Sequence, residues 1–330
     1  MSSPRVVYHL HSNIAHVSHA LPLYNRLGGM FYSEYPSIAA FVRAKYPHIS
    51  VTTEPADVRE YRPDLALYSH YTWLDFVADD VRHVQIFHDI SDKPYNYASA
   101  DSERYDLCLC AGQLQIDKFR AAGRNGRYRA VGYPKFDLPV DELDLPFPDD
   151  RPLVLYAPTW GVFSTIAAAA EPVIRLAERF NVLVKAHPLI AWGDEFPANE
   201  AAIHQLIAAV GERLFVASDD NIIPFLTACD ILLCDAGTVL YEYLPQDKPQ
   251  IILSEQRPTP PDDLLAPRLF FNYAMVVRPE RLDNQLVADV LDRDPFIEMR
   301  RDLRRRVYHH EPGKSASDLA VAAILELLGR

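Results

Sequence analysis

Residues Asp230 to Ile252 read DILLCDAGTVLYEYLPQDKPQII. An apolar run is closed by Asp235-Ala236-Gly237-Thr238, an apolar-periodic helix is expected from Val239, and Lys248-Pro249 leads into a second apolar run. A run without polar alternation suits a strand buried on both faces, as in a parallel sheet. Gly237 and Thr238 then mark a tight turn onto a helix start, where unpaired backbone N–H groups and the helix dipole favour an anion such as phosphate. A capped turn in any α/β protein carries the same residues, so this stretch alone leaves both readings open.

The same alternation extends outward on both sides. In the first half, strands are expected at Val6 to Leu10, about 49–53, 65–68, 82–87 and Tyr105 to Cys110, with helical stretches at about 36–45 and 72–79 and from Gly112. From Leu138 to Pro152 the chain is rich in proline and acidic residues and has no period, which is linker composition. The second half restarts with Leu153 to Trp160 and Val182 to Pro188, each an apolar run ending in polar residues. It continues through Arg213 to Val216 and closes with a strand at Asn272 to Val277 and helices at about 279–292, 295–307 and 314–328. The proline-rich stretch Glu255 to Ala266 is long enough for a loop over a cleft. The expected organisation is therefore α/β, with two Rossmann-like domains at residues 1–148 and 149–330 facing a central cleft. The last helices have room to pack back on the N-terminal domain.

A chain of 330 residues suits two domains of ordinary size. Its net charge of -12 argues against nonspecific nucleic-acid binding, which needs a basic footprint. The local exception, Arg300 to Arg306, reads as a solvated helix face or as a contact for anionic lipid. Cys108, Cys110, Cys229 and Cys234 sit in or beside apolar runs without ligand-like spacing, so they are expected to be buried and reduced, as in a cytoplasmic protein. No apolar run reaches the ~18 residues of a spanning helix, which leaves peripheral contact with the inner face of a membrane as the one membrane role open. Gly313-Lys314-Ser315 lacks the first glycine and the preceding strand of a P-loop.

Ligands of an open parallel sheet bind beyond the carboxyl ends of its strands. His88-Asp89 follows the strand Val84 to Phe87, and an imidazole there can take a proton from a hydroxyl near neutral pH. In the second half, Thr159, Trp160, Ser164, Lys185 and His187 occupy equivalent places, with hydroxyls for a phosphate or sugar and a lysine counter-charge. His9, His11, His16 and His19 crowd the first loop and invite a zinc reading. They lack carboxylate or thiolate company in sequence, so no metal is expected. His19-Ala20-Leu21-Pro22 resembles the first loop of many two-domain glycosyltransferases, in which a histidine faces the acceptor; it marks His19 and His16 as acceptor-side candidates.

Two α/β halves of this kind resemble the B-type glycosyltransferase fold. The motif order goes further. His88-Asp89, Gly132-Tyr133-Pro134-Lys135-Phe136-Asp137, Leu155 to Trp160, His187-Pro188, Cys229 to Val239 with Glu242, Lys248-Pro249 and Gly313-Lys314-Ser315-Ala316-Ser317 together resemble the CDP-glycerol glycerophosphotransferase family of teichoic-acid and capsule polymerases. The likeness spans roughly residues 80–330.

The resemblance implies a nucleotide-activated donor, CDP-linked, held by Thr159, Trp160, Lys185, Asp235, Gly237, Thr238 and Glu242. It implies a hydroxyl acceptor, polysaccharide- or lipid-linked, entering from the N-terminal domain. His88 would be the general base with Asp89 beside it, and His187 a hydrogen-bond donor to phosphate or leaving group. No cofactor or metal enters that scheme. The chain departs from the family pattern at Asp89 for glycine, Gly237-Thr238 for a serine pair, Glu242 for aspartate and Gly161 for arginine. A nucleotide-sugar glycosyltransferase, a UDP-sugar 2-epimerase relative and a noncatalytic nucleotide-binding scaffold are the competing readings.

Overall fold

The apolar runs form parallel strands because each is long enough to cross a sheet and is followed by a segment that returns over one face. A computed structural model describes residues 3–140, 142–190, 196–260 and 262–330. Asp141 of the expected linker and Pro261 of the expected cleft loop lie outside the described residues.

The strands of the first sheet are β1 (Val6–His9), β2 (Met30–Tyr32), β3 (Val51–Thr52), β4 (Leu65–Tyr68), β5 (Arg82–Gln85), β6 (Leu107–Cys110) and β7 (Tyr128–Ala130). They pair in the order β3-β2-β1-β4-β5-β6-β7, all parallel. The second sheet contains β8 (Leu153–Ala157), β9 (Asn181–Val184), β10 (Leu214–Val216), β11 (Ile231–Cys234), β12 (Gln250–Leu253) and β13 (Met275–Val277). Its order is β10-β9-β8-β11-β12-β13, again all parallel. Both are doubly wound, with the strand order reversing beside β1 and beside β8, where such sheets bind ligands.

The chain divides into two compact units. The first comprises residues 1–90, 95–139 and 305–330; the second comprises 91–94 and 140–304. The boundary thus falls at 139/140 rather than 148/149, and the C-terminal residues belong with the first unit. Ala320, Ala323 and Ile324 of the helix Ala316–Leu327 enter the same buried cluster as Val6, Tyr8, Leu10 and Val17. Three contacts fix the return: His309 N–H donates to the Ala111 carbonyl at 2.8 Å, Ser317 N–H to Asp137 Oδ2 at 2.6 Å, and Arg129 pairs with Glu326. Gly313-Lys314-Ser315 is a helix entry: the Ser315 hydroxyl accepts from Asp318 N–H at 3.1 Å and Asp318 accepts from Ser315 N–H at 3.2 Å, a capping box.

Four local expectations change. Residues 72–79 are not helical; Trp73 stacks on His83 with ring centroids 3.8 Å apart, and Leu74 N–H donates to the Tyr68 hydroxyl. The apolar spacing there serves aromatic packing. The helices Pro55–Tyr61 and Pro197–Ala208 were not anticipated, each opening on a proline whose missing N–H costs nothing in a first turn. The helix after Gly237 is short, Thr238–Glu242, and passes into a 3-10 turn at Leu244–Gln246. Finally, Arg300 is buried against Asp294 and the Tyr273 and Lys248 carbonyls, while Arg301 and Arg304 pair with Asp247. Arg300, Arg301 and Arg304 are thus tied within their own unit, while Arg305 and Arg306 are exposed, as expected of a solvated face. All four cysteines are buried thiols, and burial pushes Cys229 up to about 12.

Candidate functional site

In the first unit, the carboxyl ends of β1, β4 and β5 gather histidines. The ring of His88 lies 4.7 Å from His16, 5.3 Å from His70 and 6.2 Å from His19, centroid to centroid. The Ser69 carbonyl accepts from His88 N–H at 2.9 Å and from His88 Nδ1 at 2.5 Å. A carbonyl only accepts, so Nδ1 carries the hydrogen and Nε2 is the basic nitrogen of the neutral ring. The preceding residue, Phe87, has φ +44°, a left-handed conformation costly for an aromatic side chain. Gln85 holds that turn: its Oε1 accepts from Phe87 N–H at 2.9 Å and its Nε2 donates to the His70 carbonyl at 2.9 Å.

His16 and His19 are buried on the helix Ala15–Leu27, and Tyr133 of the Gly132–Asp137 motif places its hydroxyl 3.4 Å from His19 Nδ1. Burial, and then the neighbouring imidazoles of His88, His70, His19 and His11, hold His16 well below the usual histidine range. Burial, Lys135 and His88 do the same for His19, opposed by Asp89. Because both folded values lie below the unfolded one, the unfolded chain takes up protons first as pH falls through about 6.5, and stability is lost from there downward. Each excluded proton contributes a slope of about 1.4 kcal/mol per pH unit. A His16→Phe variant is expected to lose one such increment, seen as a shallower fall in unfolding free energy of this unit between pH 6.5 and 5. An unchanged slope would refute the assignment.

In the second unit, Asp235 follows β11 and is buried, its Oδ1 accepting from Thr159 N–H at 2.8 Å and Ala236 N–H at 3.0 Å, its Oδ2 from Thr165 N–H at 3.0 Å. Burial pushes its carboxyl up to about 6, against these N–H groups, which favour the ionised form. Asp235 therefore ties the β11 turn to the β8 turn at the point where the strand order reverses. A Cβ added at Gly237 would come within 3.7 Å of the Thr159 hydroxyl oxygen, so the two turns are neighbours. Lys185 and Glu242 are buried, and Thr238 and Trp160 partly exposed. Trp160 stacks on His187 at 5.9 Å and 25°. Leu189 N–H donates to His187 Nδ1 at 3.1 Å, so the neutral ring carries its hydrogen on Nε2. The two imidazoles thus take opposite tautomers: Nε2 accepts in His88 and donates in His187.

The structure brings His16, His19, His88 and Asp89 together in one unit; in the other, Thr159, Asp235 and Gly237 are neighbours, Trp160 stacks on His187, and Lys185, Thr238 and Glu242 belong to the same unit. The sequence reading missed Ser69 and Leu189, which act through the backbone, and Thr165, Gln85 and His70. Of these, only His70 carried a signal, as a histidine just beyond the end of an apolar strand.

Two doubly wound units with chemistry-bearing residues at their strand ends define a B-type glycosyltransferase architecture. Residues 69–318 match the family described as CDP-glycerol:poly(glycerophosphate) glycerophosphotransferase. The chain belongs to that family and is an enzyme of the glycerophosphotransferase class. No curated protein matches it. Among solved structures it is similar to the wall teichoic acid polymerase TagF, at TM-score 0.65 and 13% identity, covering 100% of this chain and 90% of that one. It is also similar to a Listeria monocytogenes chain assigned as a UDP-N-acetylglucosamine 2-epimerase, at TM-score 0.64, 14% identity and 99% and 97% coverage. Staphylococcus aureus MnaA with UDP gives 0.63, 13%, and 99% and 97%. At these identities the structural likeness speaks for the fold.

Proposed function

We propose that the protein transfers glycerophosphate from CDP-glycerol to a hydroxyl of a wall or capsule polymer acceptor, working at the inner face of the cell membrane. The observation that carries this reading is the opposite tautomers of His88 and His187 within a chain of this family. The acceptor oxygen attacks the phosphorus bonded to glycerol, its proton passes to His88 Nε2, and the bond to CMP breaks. His187 Nε2–H donates to the phosphate oxygens as charge moves onto the leaving CMP. Thr159, Trp160, Lys185, Gly237, Thr238 and Glu242 hold the donor, Asp235 positions their turns, and His16 and His19 flank the acceptor beside His88 and Asp89. The scheme moves its proton and stabilises its charge with protein groups alone.

A thermal-shift panel tests the donor without needing the acceptor, since a ligand bound only by the folded chain raises Tm by mass action. CDP-glycerol, CDP-ribitol, CDP and CMP are expected to shift the protein, and UDP-, GDP- and ADP-sugars are not. CMP release on adding an acceptor then reports transfer. A uridine-only response would overturn the cytidine donor in favour of a nucleotide-sugar transferase or epimerase relative. Cytidine binding without CMP release from a full acceptor set would point to a scaffold.

A further inference from the structure

The first-loop histidines lack a carboxylate in sequence, but the fold supplies one. In the β1·β2 pair, His9 lies opposite Tyr32, so two residues further His11 falls opposite Glu34. Glu34 spans both imidazoles: Oε2 is 2.7 Å from His9 Nε2 and Oε1 is 2.9 Å from His11 Nδ1. The three candidate ligand atoms all lie within 4.8 Å of one another.

The hydrogens make the arrangement informative. His9 Nδ1 is 2.8 Å from the Thr72 hydroxyl, which also has the His70 carbonyl within reach at 3.4 Å. Without an ion, the Thr72 hydroxyl donates to His9 Nδ1 and His9 Nε2–H donates to the carboxylate at 2.7 Å; with an ion on Nε2 the ring takes the other tautomer and Nδ1–H donates to Thr72. The Thr72 hydroxyl, able both to donate and to accept, serves the site with or without an ion. The imidazole–hydroxyl contact is also the outer support that fixes a metal-ligating histidine.

We propose that His9, His11 and Glu34 bind one divalent transition-metal ion of the zinc class. Two imidazole nitrogens and one carboxylate form a borderline donor set that suits zinc or cobalt better than magnesium or calcium, which prefer oxygen. His9 is buried, whereas the side chains of His11 and Glu34 are 27% and 39% exposed, so an ion enters from solvent and keeps water in its remaining positions. Bound there, it pins the loop after β1 to the segment after β2. It acts at one remove from the candidate base, since the ring of His70 lies 5.1 Å from His11 and 5.3 Å from His88. The site stands whichever donor the enzyme uses.

The test uses the full chain, stripped with chelator and dialysed. Cobalt(II) is titrated in and followed by its visible d–d absorption, and zinc binding is measured by competition and by Tm. One equivalent per chain, a visible cobalt band and a higher Tm are expected. His11→Asn and Glu34→Gln are expected to weaken binding by at least about tenfold and to lose the band, and Thr72→Val to weaken it less. Circular dichroism of the metal-free variants checks their fold. No binding by the wild-type chain would overturn the proposal and leave the two histidines as hydrogen-bond donors to Glu34. Binding retained at wild-type strength in both His11→Asn and Glu34→Gln would also overturn it, placing the ion among other histidines.

Discussion

Replacing His88 by alanine lowers kcat by about 10²–10⁴-fold, the range set by removal of a positioned general base, while the donor-induced rise in Tm is retained. The expectation rests on the Ser69 carbonyl, which fixes the hydrogen on Nδ1 and so dedicates Nε2 to accepting a proton. A pH–rate profile separates this role from a structural one. In the wild-type protein the acidic limb of kcat/KM follows protonation of the base, and in His88→Ala the residual rate loses that limb. His88→Gln keeps a polar group of similar reach but cannot take the proton, and it is expected to be as slow as alanine. Wild-type activity in either variant with the correct donor would remove His88 from the mechanism.

The second large effect is on stability. Gly112→Ala is expected to cost about 3 kcal/mol or more and to lower the Tm of the first unit by about 6–12 °C. A Cβ at Gly112 would stand 2.3 Å from the Val307 carbonyl oxygen and 2.9 Å from His309 N, both backbone atoms of the returning C-terminal segment. The backbone at Gly112 is extended, with φ -175°, so any residue accepts the conformation and the cost reports close approach alone. At Gly132 the same segment crowds a Cβ at 2.9 Å from the His309 carbonyl oxygen, and a φ of +86° adds strain. Gly211 provides the control, because its added Cβ meets nothing closer than 3.9 Å and its alanine variant is expected to fall within about 0.5 kcal/mol of wild type. Equal melting of the Gly112 and Gly211 variants would show that the C-terminal segment yields at no cost.

The parallel sheets were readable because strands buried on both faces leave uninterrupted apolar runs: β1, β4, β8 and β11 each correspond to such a run, buried along its whole length. The short strand β2 was hidden behind Gly28-Gly29, where the chain turns too tightly for a long apolar run. The site was legible where a side chain ends a strand, as with His88 and His187. It was illegible where a backbone group does the work: nothing in the letters Ser69 or Leu189 announces that they set the tautomers of two histidines. Glu34 shows the same limit from another direction. Its partners lie 25 and 23 residues away in sequence, and only strand register places them side by side.

The division of the first unit between residues 1–139 and 305–330 also sets an order of events. A ribosome releases the early strands well before the segment that covers them, and Ala320, Ala323 and Ile324 emerge only after the whole of the second unit. The second unit, nearly continuous from 140 to 304, has its full sequence available sooner. The first unit, begun before the second, is therefore completed after it, and holds an open apolar face while the second is made. In that interval the open face is an aggregation hazard, and a ribosome that stalls near residue 304 is expected to leave an aggregation-prone product rather than a folded first unit.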